Sequence, residues 1–152
     1  MEFMSEKDFN SIVKDIEEAM LDAARKIFSK RVLEEAYNPK NVGEIENPDG
    51  YASITGPCGD TMQIYLRVAG NKIANCKFLT DGCGATIACG SVITELVKGK
   101  TIDEILEITD KDLLTIMGGL PEEYLHCPVL TVKTLRAAIK NYMNNMNKKT
   151  TV

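Results

Sequence analysis

A helical first quarter, three short strands in succession and a helical second half predict an α+β domain: a small three-stranded antiparallel sheet packed by helices, with a long extra helix at the N-terminus. Apolar residues recur three and four apart before residue 37 and again beyond residue 84. Strand-like runs fill residues 51–80, and glycine, proline and asparagine gather at the boundaries. At 152 residues, 44% of them hydrophobic, the chain buries one core and is too short for two full domains. The expected division is a helical extension over residues 1–37, a compact domain over 38–147 and a frayed tail over 148–152.

Over residues 5–36, Phe9, Ile12, Val13, Ile16, Met20, Ala23, Ile27 and Phe28 fall on one face of a single long helix, a stripe suited to core or homo-oligomer packing. That helix ends before Asn38-Pro39, because proline disfavours helical geometry in the residue ahead of it. Residues 38–50 hold three asparagines, two prolines and two glycines, a loop composition. Residues 51–55, 62–68 and 72–80 read as strands, the last two joined by Ala69-Gly70-Asn71 in a hairpin connection. After Gly82-Cys83-Gly84 the period turns helical, with Ala85, Ala88, Cys89, Val92, Ile93 and Leu96 on one face and Gly99 ending it. Thr101 with Glu104, and Thr109 with Asp112, look like the caps of two short helices. Gly118-Gly119-Leu120-Pro121 breaks the chain before a final helix over residues 128–146.

Lys and Arg total 18 against 22 Asp and Glu, a net charge of -4, so neither nucleic acid nor a membrane is expected as a partner. Acidic residues at the start, where a signal peptide needs a basic and then apolar run, point to a cytoplasmic protein. Five cysteines, an odd count without the dense spacing of a secreted disulfide framework, suggest metal or sulfur chemistry in a reducing compartment.

Three of those cysteines occupy unusual settings. Cys58 lies in Gly56-Pro57-Cys58-Gly59-Asp60, where flanking glycines free the backbone to aim a thiol and a carboxylate at one spot. Cys83 opens a helix between two glycines, and Cys127 directly precedes Pro128, a favoured first helical residue. Free N–H groups and the positive end of a helix would lower both thiol pKa values and favour the metal-binding, sulfur-accepting thiolate. With Asp60 near Cys58, and the single histidine, His126, beside Cys127, the candidate ligands are Cys58, Asp60, Cys83, His126 and Cys127, one more than a tetrahedral metal needs. A hard carboxylate or an imidazole among soft thiolates makes a site that exchanges its cargo. Cys76, on the apolar face of its strand, and Cys89, on the apolar stripe of its helix, read as core residues. Lys98-Gly99-Lys100-Thr101 lacks the companion glycine and preceding strand of a phosphate loop.

Asn38-Pro39-Lys40-Asn41-Val42-Gly43, Cys58-Gly59-Asp60, Gly82-Cys83-Gly84 and Leu125-His126-Cys127 follow one another as in the IscU / NifU N-terminal domain family, which the chain resembles over residues 38–142. The resemblance implies an α+β fold and an iron-sulfur cluster assembly scaffold, a carrier and not an enzyme. Such a scaffold receives sulfur from a cysteine desulfurase, binds iron, builds a labile 2Fe-2S cluster and transfers it to acceptor apo-proteins; zinc can occupy the cluster-free form. Cys58, Cys83 and Cys127 would be ligands, Cys127 also the persulfide acceptor, Asp60 the residue assisting iron binding and release, and His126 an alternative ligand. Leu120-Pro121-Glu122-Glu123-Tyr124 departs from the leucine-proline-proline-valine-lysine segment read by a dedicated Hsp70-type chaperone, which argues against that partner and removes a positive charge beside Cys127.

Two other chemistries use the same residues. A zinc-binding sulfur acceptor of the same fold, a sulfurtransferase, would use Cys58, Asp60, Cys83 and Cys127, although its branch carries an insertion between the last two cysteines that is missing here. A cysteine-nucleophile enzyme would use His126 as base for Cys127, but neighbouring side chains generally diverge and the reading leaves Cys58 and Cys83 idle. A pure interaction module would have unreactive thiols and no metal.

Overall fold

The structure, a computed structural model, describes residues 5–150, with side chains described through residue 148; residues 1–4 of the expected extension and the last two of the expected tail lie outside it. In chain order the elements are α1 (Glu6–Ile27), α2 (Lys30–Tyr37), β1 (Gly50–Thr55), β2 (Thr61–Ala69), β3 (Lys72–Thr80), α3 (Gly84–Val97), α4 (Ile102–Leu106), α5 (Asp110–Ile116), a 3-10 turn (Glu122–Tyr124) and α6 (His126–Thr150). The α+β class holds: one antiparallel sheet, in the order β1-β2-β3, packed by helices.

The register pairs Thr55 with Thr61 and Met62 with Thr80, so the β1–β2 loop and the exit of β3 emerge at the same end of the sheet. Gly70 and Asn71, both at positive φ, make the tight β2–β3 turn. The outer edge of β3 is covered by the asparagine-rich segment: Gly43 N–H donates to Phe78 O (2.9 Å) and Phe78 N–H to Asn41 O (3.0 Å). What composition marks as a loop thus shields a strand edge from pairing with other chains.

Helices α6 and α3 cover the apolar face of the sheet, burying Met62, Ile64, Leu66, Phe78, Ile93, Leu135 and Ile139. Two glycines set the spacing. A Cβ on Gly50 would stand 2.6 Å from the Ala138 carbonyl oxygen of α6, and one on Gly90 would stand 2.4 Å from the Phe78 ring. Thr101 and Thr109 each make the expected capping box, with Glu104 and Asp112.

The single helix expected over residues 5–36 is two helices. Phe28 leaves helical geometry (φ -110, ψ 150) and puts its ring 5.2 Å from that of Tyr124. Ser29 then caps α2, its hydroxyl accepting from Val32 N–H (3.1 Å) and donating to the Met117 carbonyl. The apolar spacing runs on across the break, through Val32, Leu33 and Ala36, so periodicity alone hides it. α2 lies against α3 and buries Val32 and Glu35. Burial pushes the Glu35 carboxyl pKa up, but hydrogen bonds from Ser91 and Lys40 (Nζ at 3.1 Å) and the charges of Lys40 and Arg31 outweigh it and hold the pKa below the ordinary range. The final helix also departs from expectation at both ends. It starts at His126 rather than residue 128, because Leu125 is already helical and Pro128 has no N–H to lose in a first turn, and it runs on to Thr150, past the expected end at residue 146.

In an unobstructed helix Gly90→Ala would stabilise by up to about 1 kcal/mol. Here the clash with Phe78 is expected to reverse the sign, to a loss of about 1–3 kcal/mol by denaturant unfolding. Burial pushes the Cys76 thiol up to about 12, Lys98 opposing it weakly, whereas an unfolded thiol ionises near 9. Between those values the unfolded chain has released a proton that the native state keeps, so stability falls as pH rises, by up to about 1.4 kcal/mol per pH unit from this group. Cys76→Ala should flatten the alkaline slope of a melting-temperature profile.

Candidate functional site

Two loops and a helix start meet at one end of the sheet. The β1–β2 loop is closed by Gly56 N–H to Asp60 O (2.8 Å) and Gly59 N–H to Gly56 O (3.0 Å), with Gly59 at φ +86 where a side chain is disfavoured. It is tied to the β3–α3 loop by Thr61 N–H to Asp81 Oδ1 (2.7 Å) and Thr80 Oγ1 to Thr61 O (2.6 Å). Gly82 N–H in turn donates to Thr80 Oγ1 (3.0 Å), which fixes the approach to Cys83.

Cys83 is the N-cap residue of α3 and remains exposed. Its Sγ lies 3.7 Å from the hydroxyl of Thr86, three residues on, and that buried hydroxyl is the hub of the site. Thr86 Oγ1 is 3.4 Å from Asp60 Oδ2 and 3.3 Å from Cys127 Sγ, and Cys127 Sγ is 3.6 Å from His126 Nε2. Gly82 makes room for the hub, since a Cβ there would fall 2.7 Å from Thr86. Beside Cys83 an apolar cleft of about 310 Å³ is walled by Phe28, Val32, Ala36 and Tyr124.

The structure therefore gathers Asp60, Cys83, His126 and Cys127 about Thr86 and leaves Cys58 exposed at the tip of its loop. Among the described residues no three Cys, His, Asp or Glu side chains close into a metal shell. The Thr86 hydroxyl takes the central place between the Cys83 thiol, the Cys127 thiol and the Asp60 carboxylate.

One electrostatic and one geometric expectation differ from the structure. Cys127, fully buried in the first turn of α6, has its pKa pushed up to about 11 rather than lowered. Burial is the largest cause, and the neighbouring Cys83 and Asp60 add to it against the Thr86 hydrogen bond; desolvation outweighs the helix end. His126 and Cys127 do not diverge, because the helical turn brings ring and thiol to 3.6 Å. The ring therefore reaches the thiol, but the acyl-transfer reading still leaves Cys58 and Cys83 without a role. Cys76 and Cys89 are buried core residues, as their strand and helix positions predict. Thr86 was not among the candidates; its signal is position, since a residue three past an N-cap faces that cap, here a cysteine.

The fold and this cysteine-bearing corner define a class. The structure aligns with the N-terminal part of a nitrogen-fixing NifU-like protein from Brucella abortus at a TM-score of 0.63 and 24% identity, over 76% of this chain and 94% of that one. Residues 27–149 match the family described as NifU-like N terminal domain, and the chain belongs to that family. It is 44% identical over 123 residues to iron-sulfur cluster assembly scaffold protein IscU 1 of Archaeoglobus fulgidus, covering 80% of each chain. To the scaffold protein IscU of Aquifex aeolicus it is 40% identical over 119 residues, 76% of each chain. To the nitrogen fixation protein NifU of Trichormus azollae it is 40% identical over 124 residues, 76% of this chain and 41% of that one.

Exposure orders the thiols. With iodoacetamide at neutral pH, Cys58 and Cys83 are expected to react first, Cys127 at least about tenfold more slowly, and Cys76 and Cys89 only on unfolding. Time-resolved peptide mass mapping reads the order, and labelling of Cys127 as fast as Cys83 would contradict the buried placement.

Proposed function

We propose that this protein is an iron-sulfur cluster assembly scaffold: it receives sulfur from a cysteine desulfurase, binds iron, builds a labile 2Fe-2S cluster on Cys58, Cys83 and Cys127, and passes it to acceptor apo-proteins. The observation that carries the reading is the gathering of Cys83, Cys127 and Asp60 around one hydroxyl where two loops meet a helix start, with Cys58 on the adjoining loop. Membership of the NifU-like N-terminal family, whose relatives include proteins named as scaffolds, supports it.

Thiolates are soft ligands suited to iron and sulfide, and Asp60 or His126 fills the remaining position with a harder donor that loosens the hold. In sulfur transfer the Cys127 thiolate attacks the terminal sulfur of the donor's persulfide. A Cys127 Sγ–S bond forms, the donor's S–S bond breaks, and the donor leaves as its thiolate; an external reductant then supplies two electrons to take that sulfur to sulfide. Cys127 has first to lose its proton, which burial opposes and the hydrogen bond donated by Thr86 favours, and its buried sulfur has to become reachable by the donor. The protein is a carrier and not a catalyst. Chaperone-driven release by the Leu120–Tyr124 segment is not part of the proposal, since Tyr124 packs its ring on Phe28. Among the described residues no helix is long and apolar enough to cross a membrane.

The test is anaerobic reconstitution of zinc-stripped protein with iron and a sulfur source, followed by visible absorption and iron and sulfide analysis. Wild type should show sulfide-to-iron charge-transfer bands with equal iron and sulfide, and Cys58→Ser should lose most of both. Asp60→Ala should hold a longer-lived cluster under a chelator and transfer it more slowly. Tight zinc rebinding with no cluster formed would overturn the scaffold in favour of a zinc-binding sulfur acceptor.

A further inference from the structure

The proposed function leaves α1 unexplained, because the helix lies almost wholly before residue 27, where the family match begins, and contributes nothing to the site except its last turn. Over its 22 residues, about 33 Å of helix, no side chain is fully buried among the described residues, yet Phe9 is 59%, Ile16 54%, Met20 66% and Ile27 59% exposed. Leu21 and Ala24, on an adjacent flank, are half-buried towards α2 and end what the rest of this chain covers. A contiguous apolar stripe of this length on an otherwise polar helix marks an interaction surface.

We infer that the occupant of this stripe is a second copy of this chain, paired antiparallel through α1 about a two-fold axis near residue 18. The spacing is that of a helix–helix seam. Phe9, Val13, Ile16, Met20, Ala23 and Ile27 alternate steps of four and three, the 3.5-residue repeat that keeps one edge of a helix against a partner. Folded about residue 18 the stripe complements itself: Phe9 meets Ile27 of the second copy, Val13 meets Ala23, and Ile16 meets Met20. Each layer thereby joins one residue from each of the two repeat positions, as an antiparallel pair requires, and an isologous contact of this kind closes at two copies. Charge sets the direction. The first turn of α1 is acidic, with Glu6 and Asp8, and the last is basic, with Arg25 and Lys26, Arg25 also pairing with Asp22 of its own helix (3.1 Å), so antiparallel copies lay the acidic end of one about a turn from the basic end of the other and parallel copies lay like ends together. A lipid surface fits less well, because α1 carries six carboxylates against four cations where helices lying on anionic membranes are rich in Lys and Arg.

Because the stripe is exposed, it can be altered without opening the domain. In sedimentation equilibrium on the full chain, wild type should run at twice the chain mass, and Ile16→Glu with Met20→Glu should raise the dimer dissociation constant at least about 100-fold while the helical signal and melting of the domain are kept. Arg25→Glu with Lys26→Glu should weaken pairing about tenfold, and adding Glu6→Lys with Asp8→Lys in the same chain should restore it. A monomeric wild type, a dimer indifferent to Ile16→Glu and Met20→Glu, or charge reversals without loss and recovery would overturn the inference. So would flotation of a monomeric chain with phosphatidylserine vesicles that depends on the same stripe. None of these readouts involves iron or sulfide, so the pairing and the scaffold function can fail independently.

Discussion

The close approach of α3 to the sheet is the constraint on which the remaining geometry depends. Gly90 lets the helix backbone rest on the Phe78 ring, and small residues on the other sides of α3, among them Ala85, Ala88, Cys89 and Ser91, let β3, α2 and α6 crowd around it. A helix buried from all directions has little room to slide or rotate, because each neighbour opposes displacement towards itself. Its N-terminus is therefore a fixed point. Cys83 and Thr86 take their positions from it, and Cys127 and Asp60 take theirs from Thr86.

The attachment of α2 shows how the chain before the sheet is recruited to the same body. Glu35 is buried, which a carboxylate tolerates only when its charge and lone pairs are answered. Ser91 of α3 and Lys40 of the asparagine-rich segment answer them, while Asn41, at positive φ, is bonded to Thr94, Glu95 and Lys98. The motif Asn38-Pro39-Lys40-Asn41-Val42-Gly43 thus clamps α2, α3 and the β3 edge together. The family match begins at residue 27, one residue before the break at Phe28 and Ser29, so the packed body and the matched segment start at the same place.

What the sequence made legible was local. The three strands, the hairpin and both threonine caps follow from alternation, turn residues and the S/T-x-x-E/D pattern, each readable within a few residues. What it hid was set at a distance. Ser29 looks like an ordinary helical residue until its hydroxyl finds the Met117 carbonyl 88 residues away, and the helix break exists because Phe28 turns to Tyr124. The settings of Cys58, Cys83 and Cys127 singled them out, but the sign of the effect on Cys127 did not follow, because helix position is local and burial is a property of the assembled core. Thr86 was hidden because a threonine early in a helix is common, and only the fold brings Asp60 and Cys127 to it.

The proposed scaffold would have to hold its cargo and give it up, and the placement of Cys58, Cys83 and Cys127 bears on both. Cys58 and Cys83 face solvent on loops that meet at the sheet's end, whereas Cys127 is turned inward and accepts a hydrogen bond from Thr86. A thiol binds metal only after losing its proton, a step that burial opposes at Cys127 and that the hydrogen bond donated by Thr86 favours. Three permanently converging thiolates would repel one another when empty and grip hard when full. A hydroxyl between them offsets part of such repulsion by donating to the Cys127 sulfur, which gives a physical reason for a threonine to stand at this place.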